Sequence, residues 1–326
     1  MNFLFYKYMK TSLLILAYNE DQKIESLILK FKDVFNEIIV VNDKSKDKTE
    51  EILSSLQKKY TNLIVINNSK NFGAGRSFEL GVHKFLESDS LYLIKVDGDD
   101  QFQEKDILNI KSILEQNKYS FVRCDRFWSG GIIGKMPNIR YLGNSIASFF
   151  IKFSTGISNL NDPLNGLYGF KRDAISGFRL PKLFYKYGYP FYLSNFVSYL
   201  GFTHNIKIAQ IKNTITYGDE NSNLNPLIML FKLTYFIINN FYSKIKVKLQ
   251  YSPLQVSGLQ DLISQLFLFS FFYSILRFFQ IRYFESPGPQ GNWFILIIIF
   301  FLLFSLLLVS SRRRLNKLSK NFFDEI

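Results

Sequence analysis

The stretch from Ser12 to Asp43 reads SLLILAYNEDQKIESLILKFKDVFNEIIVVND. Two short apolar runs, Ser12 to Ala17 and Glu37 to Val41, end in the polar clusters Tyr18-Asn19-Glu20 and Asn42-Asp43-Lys44-Ser45. A helical stretch to about Lys32 lies between them. Short apolar runs stopped by Asn and Asp predict strands. The alternation continues through a charged helix from about Lys48 to Tyr60, a strand at Leu63 to Asn67 and a helix at Gly75 to Glu87. A further strand, Leu91 to Val96, breaks at Asp97-Gly98-Asp99-Asp100. A helix at about Glu104 to Gln116 and a strand at Ser120 to Cys124 follow. This order predicts an α/β fold, a mostly parallel sheet covered by helices on both faces. Ligands of such sheets bind outside the carboxyl ends of the strands. Tyr18, Glu20, Asp43, Asp97 and Asp99 all fall there, in one crevice.

The crevice has no GxGxxG after its first strand and no GxxxxGK[ST], so dinucleotide and P-loop readings lose their main support. Asn71-Phe72-Gly73-Ala74-Gly75-Arg76 opens a helix with Gly and Arg, which suits an anion such as a diphosphate; a plain glycine turn is the alternative. Asp97 and Asp99, with the Gln101 amide, offer hard oxygen ligands that suit Mg²⁺ or Mn²⁺ bridging phosphates. One cysteine and two histidines exclude a disulfide framework and a Cys- or His-based metal centre.

Composition divides the chain. Its 326 residues are 47% hydrophobic with 35 Phe and 19 Tyr, which excludes a disordered chain. A mean hydropathy of +0.02 is high for a soluble protein and low for one mostly in lipid. The excess lies at the C-terminal end, where Trp293 to Val309 reads WFILIIIFFLLFSLLLV without a charge. That reaches the lower end of the roughly 17–25 residues that cross a bilayer. Trp293 borders one side, and Arg312, Arg313, Arg314, Lys317 and Lys320 follow the other. Leu262 to Ile281 is a second apolar segment, interrupted by Gln265 and Arg277. The linker Arg282 to Asn292, with Pro287, Gly288, Pro289 and Gly291, predicts a hairpin of two membrane helices. Lys244, Lys246 and Lys248 before it, and the basic tail after it, put both flanks in the cytoplasm. Pro226 to Tyr242 predicts a helix lying in the interface, with a third span as the alternative. The run Leu13 to Ala17 is too short for a signal peptide, and Met9 competes with Met1 as the start. The expected division is a cytoplasmic domain over 1–225, an interfacial helix over 226–250, and the hairpin with its basic cytoplasmic tail over 251–326. Within that last part, the hairpin helices are expected at about 262–281 and 293–310.

Together, Leu14 to Glu20 (LILAYNE), Val40 to Thr49 (VVNDKSKDKT), Asn71 to Arg76 (NFGAGR) and Val96 to Gln101 (VDGDDQ) resemble the family-2 glycosyltransferases of GT-A fold. Within that family the chain is most similar to the dolichyl- or undecaprenyl-phosphate sugar synthase branch, over roughly Thr11 to Leu224. The resemblance implies a donor-nucleotide set of Ala17, Tyr18, Glu20, Asp43, Gly73, Arg76 and Asp97, and a divalent cation on Asp97, Asp99 and Gln101. The family usually has Pro at Ala17 and a second Asp at Asn42, departures that leave the choice of base open. Asn161 to Gly166 is similar to the family's acceptor-side acidic segment, so Asp162 joins Asp99 as a candidate catalytic carboxylate, and Leu167 to Phe170 reads as a strand. Arg126 and Arg140 are expected to clamp an acceptor phosphate, and Tyr217 to Ser222 resembles the branch's flexible donor loop.

The expected reaction is inverting, metal-dependent transfer of a sugar from a nucleotide sugar to a polyprenyl phosphate at the cytoplasmic membrane face, as in a hexosyltransferase of cell-envelope polysaccharide. A sugar hydroxyl of a lipid-linked or surface oligosaccharide is the alternative acceptor, and would need Asp162 as base. A non-catalytic membrane scaffold with a decayed nucleotide site is a third reading. Forty Lys+Arg against 27 Asp+Glu leave +13, which suits anionic lipid. Nucleic acid is not an expected partner, because no binding motif accompanies the charge. Homo-oligomerisation stays open.

Overall fold

The computed structural model describes residues 10–134, 136–216, 226–284 and 290–326. The chain divides into two compact units: Met1–Ile151 with Asn159–Leu233 and Phe322–Ile326, and Lys152–Ser158 with Thr234–Asn321.

The first unit begins β1 (Thr11–Ala17), α1 (Ile24–Phe31), β2 (Glu37–Asn42), α2 (Thr49–Lys59), β3 (Leu63–Asn67), α3 (Ala74–Glu87), β4 (Tyr92–Asp97), α4 (Glu104–Glu115) and β5 (Phe121–Asp125). Every expected element of this series is present, with ends shifted by a residue or two. All seven residues of β1 are buried, as a strand covered on both faces requires. α1 buries Ile24, Leu27, Ile28 and Phe31, one stripe of an amphipathic helix. The series continues with β6 (Ile132–Ile133), α5 (Asn138–Thr155), β7 (Tyr168–Lys171), α6 (Arg172–Ile175), α7 (Tyr189–His204), β8 (Ile208–Lys212) and β9 (Ile215–Thr216). α8 (Pro226–Gln250) then leads into the second unit, which holds α9 (Gln255–Phe284) and α10 (Gln290–Ser319), and β10 (Phe323–Glu325) belongs again to the first.

The main sheet has the order β10-β8-β5-β7-β4-β1-β2-β3. All pairings are parallel except those of β7, which runs antiparallel between β4 and β5. β10 is a strand that the sequence pattern does not announce: the end of the expected basic tail pairs with β8 at the sheet edge. β1 lies between β2 and β4, so Ala17 sits beside Asn42 and Leu16 beside Asp97. This register brings the polar ends of the three strands together.

In the second unit, α9 and α10 are longer than the expected segments, so the helices take up Arg282 to Phe284 and Gln290 to Asn292 of the expected linker. Pro287, Gly288 and Pro289 lie outside the described residues. Both helices are long and apolar enough to cross a membrane. Their burial is inverted relative to a soluble core: α9 buries Ser257, Gly258, Asp261, Ser264 and Gln265. Leu266, Phe269 and Leu306 are instead turned outward. Polar inside and apolar outside is the pattern that a lipid solvent selects. Arg312 to Ser319, expected as a tail, continue α10.

Candidate active site

The loops after β1, β2 and β4 are stitched together. Ser45 Oγ accepts from Asn19 N at 3.0 Å, Thr49 Oγ1 accepts from Glu20 N at 2.9 Å, and Leu16 O accepts from Gly98 N at 2.9 Å. Asn19, Lys44 and Asp100 hold these turns with φ of 58°, 61° and 48°. Left-handed backbone at non-glycine residues clusters where the surrounding structure over-determines it. Ala17 is buried at the floor, Glu20 is half-buried and Tyr18 is 41% exposed.

Asp43 is buried, and its carboxylate serves the loop that follows β3. Its Oδ1 accepts from Asn68 Nδ2 at 2.7 Å and Phe72 N at 2.9 Å, and its Oδ2 accepts from Gly73 N at 2.7 Å. Asn42, a departure from the family pattern, donates its Nδ2 to Asn67 Oδ1 at 2.8 Å. An aspartate there would have no proton to donate.

The start of α3, the expected anion site, is met by groups of the protein itself. Arg76 N donates to Tyr185 O at 3.1 Å, and a Cβ added to Gly73 would meet Lys186 Cα at 2.5 Å. The segment at 184–186 therefore fills the helix N-terminus, and the lack of a Cβ on Gly73 lets it pack so closely. The Arg76 guanidinium pairs with Glu79 on its own helix.

Asp97 stands at the end of β4 with a partner that the motif reading missed. Lys95 Nζ donates to Asp97 Oδ1 at 2.5 Å and to Gly166 O at 3.0 Å. Lys95 is 1% exposed and lies against the Tyr168 and Tyr189 rings, 5.5 and 5.7 Å from their centroids. Burial pulls its pKa down, but the Asp97 carboxylate and Tyr189 outweigh that, leaving it above lysine's ordinary range. The signal in the sequence was a lysine inside the apolar run LYLIKV, two residues before Asp97 and therefore on the same strand face. Gly166 completes the clamp: a Cβ there would lie 2.3 Å from Asp97 Oδ2.

Asp99 and Gln101 share the turn after β4, where Gln101 N donates to Asp99 Oδ1 at 3.3 Å. Gln101 O accepts from Thr216 N of β9 at 3.2 Å, fixing the turn from the other side. No group of three or more His, Cys, Asp or Glu suited to a metal occurs among the described residues. Two carboxylates and an amide nevertheless fit Mg²⁺ or Mn²⁺, which commonly take one or two carboxylates and complete their shell with water and substrate phosphate. The Asp97 Oδ2 atom, beside the missing Cβ of Gly166, is the oxygen not taken by Lys95.

Asp162 is fully buried and has a φ of 47°. Its Oδ1 accepts from Arg126 Nη2 at 2.9 Å, and its Oδ2 accepts from Arg126 N at 3.1 Å and Asn165 Nδ2 at 2.9 Å. A base must reach the acceptor's proton; here both oxygens are committed to holding Arg126 and the loop before β7. Arg126 Nη2 also donates to Asn144 Oδ1 at 3.2 Å, and Asn144 Nδ2 donates to Arg140 O at 2.8 Å. Asn144 thus joins the two expected acceptor arginines. Arg123, missed in the motif reading, props the same loop by donating Nη2 to Asn161 O and Asp162 O. Burial lowers its pKa to about 10 against the opposing pull of Asp162 and Asp125. Tyr217 to Ser222 lie outside the described residues.

A glycosyl transferase family 2 model matches residues 12–177, about half of the chain and all of the crevice-forming strands β1 to β5. The chain belongs to glycosyl transferase family 2. It is a glycosyltransferase with the mostly parallel, helix-flanked sheet expected of its family. An uncharacterised Methanocaldococcus jannaschii protein is 27% identical over 64% of this chain and 88% of its own length. A dolichyl-phosphate β-glucosyltransferase of Trichomonas vaginalis is 28% identical over 34% of this chain and 38% of its own length. A UDP-N-acetylglucosamine–dolichyl-phosphate N-acetylglucosaminyltransferase of Methanococcus voltae is 27% identical over 50% of this chain and 70% of its own. The chain thus spans well under two thirds of the Trichomonas relative. A solved mannosyltransferase of Pyrobaculum calidifontis with GDP-Man and Mn²⁺ shares 12% identity at a TM-score of 0.43, covering 92% of this chain and 87% of that one.

Proposed function

We propose that this family-2 glycosyltransferase transfers a sugar from a nucleotide sugar to a polyprenyl phosphate, with inversion in a single displacement. The observation that carries this reading is the burial of Asp162 with both oxygens engaged. A sugar hydroxyl needs a base to remove its proton, whereas a phosphate monoester, with a second pKa near 6, is already mostly dianionic at neutral pH. Asp162 then acts as a positioning residue. It holds Arg126 by backbone and guanidinium at once, and Arg126 with Arg140 receives the acceptor phosphate. The dolichyl-phosphate relatives support this choice of acceptor.

On the donor side, the exposed ring of Tyr18 and the half-buried Glu20 are suited to a base and ribose, with Ala17 as floor. Asp43 supports them indirectly, by fixing the loop that starts α3. A divalent cation on Asp97, Asp99 and Gln101 would offset the charge developing on the departing diphosphate. Lys95 and Gly166 hold Asp97 at its post before the donor arrives, so little reorganisation is left for the reaction. In this reading the helices α9 and α10 anchor the protein in the bilayer and α8 lies in the interface, and the basic Lys246, Arg313 and Arg314 support a cytoplasmic side for the flanks.

The test uses the full chain in membranes with labelled nucleotide sugars and a short polyprenyl phosphate. A labelled sugar on lipid phosphate is the expected product. Label appearing only on oligosaccharide would overturn the acceptor assignment.

A further inference from the structure

The second unit contains a cationic pocket that the catalytic reading does not use. Lys244 and Lys248 stand one turn apart on α8, and Arg312 reaches the same place from α10. Phe153, Ser154, Ile237 and Phe241 complete the lining. The acid paired with this cluster is Asp261 of α9, itself fully buried. Lys248 Nζ donates to Asp261 Oδ2 at 2.5 Å, and Arg312 Nη2 lies 3.4 Å from Oδ1. Two of the three cations, Lys248 and Arg312, thus share one carboxylate.

The excess is large for so enclosed a place. Arg312 Nε and Nη1 are buried with no hydrogen-bond partner among the described residues. The guanidinium is instead flanked by the Phe153 and Phe241 rings, 5.2 and 5.5 Å from their centroids. Buried donors left unpaired are costly, so the arrangement calls for an acceptor. Burial, and then the charge of Arg312, lower the pKa of Lys248 to about 8 although Asp261 raises it. Burial, Lys248 and Arg312 push Lys244 the same way. A group with several anionic oxygens would satisfy the donors and balance the charge together.

We propose that Lys244, Lys248 and Arg312 form a binding site for the phosphate group of an anionic membrane lipid. The apolar lining and the outward Leu266, Phe269 and Leu306 of the adjoining helices favour a phosphate that carries acyl chains over one free in solution. Ser154 Oγ, which accepts from Asn240 Nδ2 at 3.1 Å, is a further polar atom on the pocket wall. The site is distinct in residues from the acceptor role given to Arg126 and Arg140, and does not depend on it.

The experiment is native mass spectrometry of the full chain released from vesicles of phosphatidylcholine alone or with added phosphatidic acid. Wild type is expected to retain phosphatidic acid selectively. Lys244→Gln and Arg312→Gln are each expected to weaken retention by more than about fivefold, beyond the loss of one interfacial cation. Lys246→Gln, at an exposed position on the same helix, is the control and is expected to lose no more than that surface attraction. Asp261→Asn removes the competing anion and is expected to strengthen retention, a gain that misfolding does not produce. Equal retention by wild type and Lys244→Gln, or equal losses in Lys244→Gln and Lys246→Gln, overturns the pocket. Displacement of the lipid by inorganic phosphate at comparable concentration overturns the lipid assignment.

Discussion

Lys95 and Asp97, two residues apart on β4, form an ion pair at 2.5 Å in which the lysine is buried and the carboxylate faces the crevice. The sheet interior therefore supplies the charge that sets the first metal-ligand candidate in place.

Replacing Lys95 with Met removes that clamp and leaves Gly166 O without its donor. The expected cost is about 1–2 kcal/mol of stability, kept modest because Asp97 remains partly solvated. Transfer is expected to fall by more than about tenfold, because Asp97 is no longer pre-positioned. Denaturant midpoints and kcat/KM check the two effects. The pKa of Lys95 is raised on folding, so its contribution is complete below the unfolded lysine value and lost only as pH climbs through the folded one. The stability gap between wild type and Lys95→Met should therefore stay constant between about pH 6 and pH 9.

Gly166→Ala tests the same clamp from the other side. Its methyl would meet Asp97 Oδ2 at 2.3 Å, so the carboxylate or the loop must move. Transfer is expected to drop while the apparent affinity for Mn²⁺ weakens. Unchanged metal dependence would show that Asp97 does not need this position.

Asp162→Asn separates positioning from base catalysis. Asparagine cannot accept all three donors, and Arg126 becomes a buried charge without its partner, an effect of about 3–5 kcal/mol. The expected signature is a raised KM for polyprenyl phosphate, with the shape of the kcat pH profile preserved. Loss of the profile's acid limb would instead identify Asp162 as a base. Asn144→Ala, which loosens Arg126 without stripping its charge partner, should give a milder rise in the same KM.

Chelation of divalent ions is expected to abolish transfer, and Mg²⁺ or Mn²⁺ to restore it. Asp99→Ala is expected to lose at least about a hundredfold in kcat and to bind the nucleoside diphosphate with little response to added metal. Calorimetry with and without Mn²⁺ reads the second effect directly.

Much of the sheet was legible because β1 to β5 and the helices between them carry their periodicities locally. The polar clusters that end β1, β2 and β4 were legible for the same reason. Asp43 and the N-terminus of α3 show where a local pattern stops. A carboxylate and a glycine loop at strand ends look like ligand groups, yet here Asp43 holds that loop and the 184–186 segment fills the helix end. A local pattern records what a residue offers, not which neighbour takes it.

The sequence by itself determined the alternation of strands and helices, the family motifs, and two C-terminal segments apolar enough for a membrane. Each follows from side-chain properties repeated over a few residues. Only the tertiary structure decided that β7 runs antiparallel between β4 and β5 and that β10 closes the sheet edge. It also decided that Asp162 grips Arg126 and that Gly166 backs Asp97. Those partners come from segments far apart in the chain, and their pairing depends on how the sheet brings strand ends and loops together.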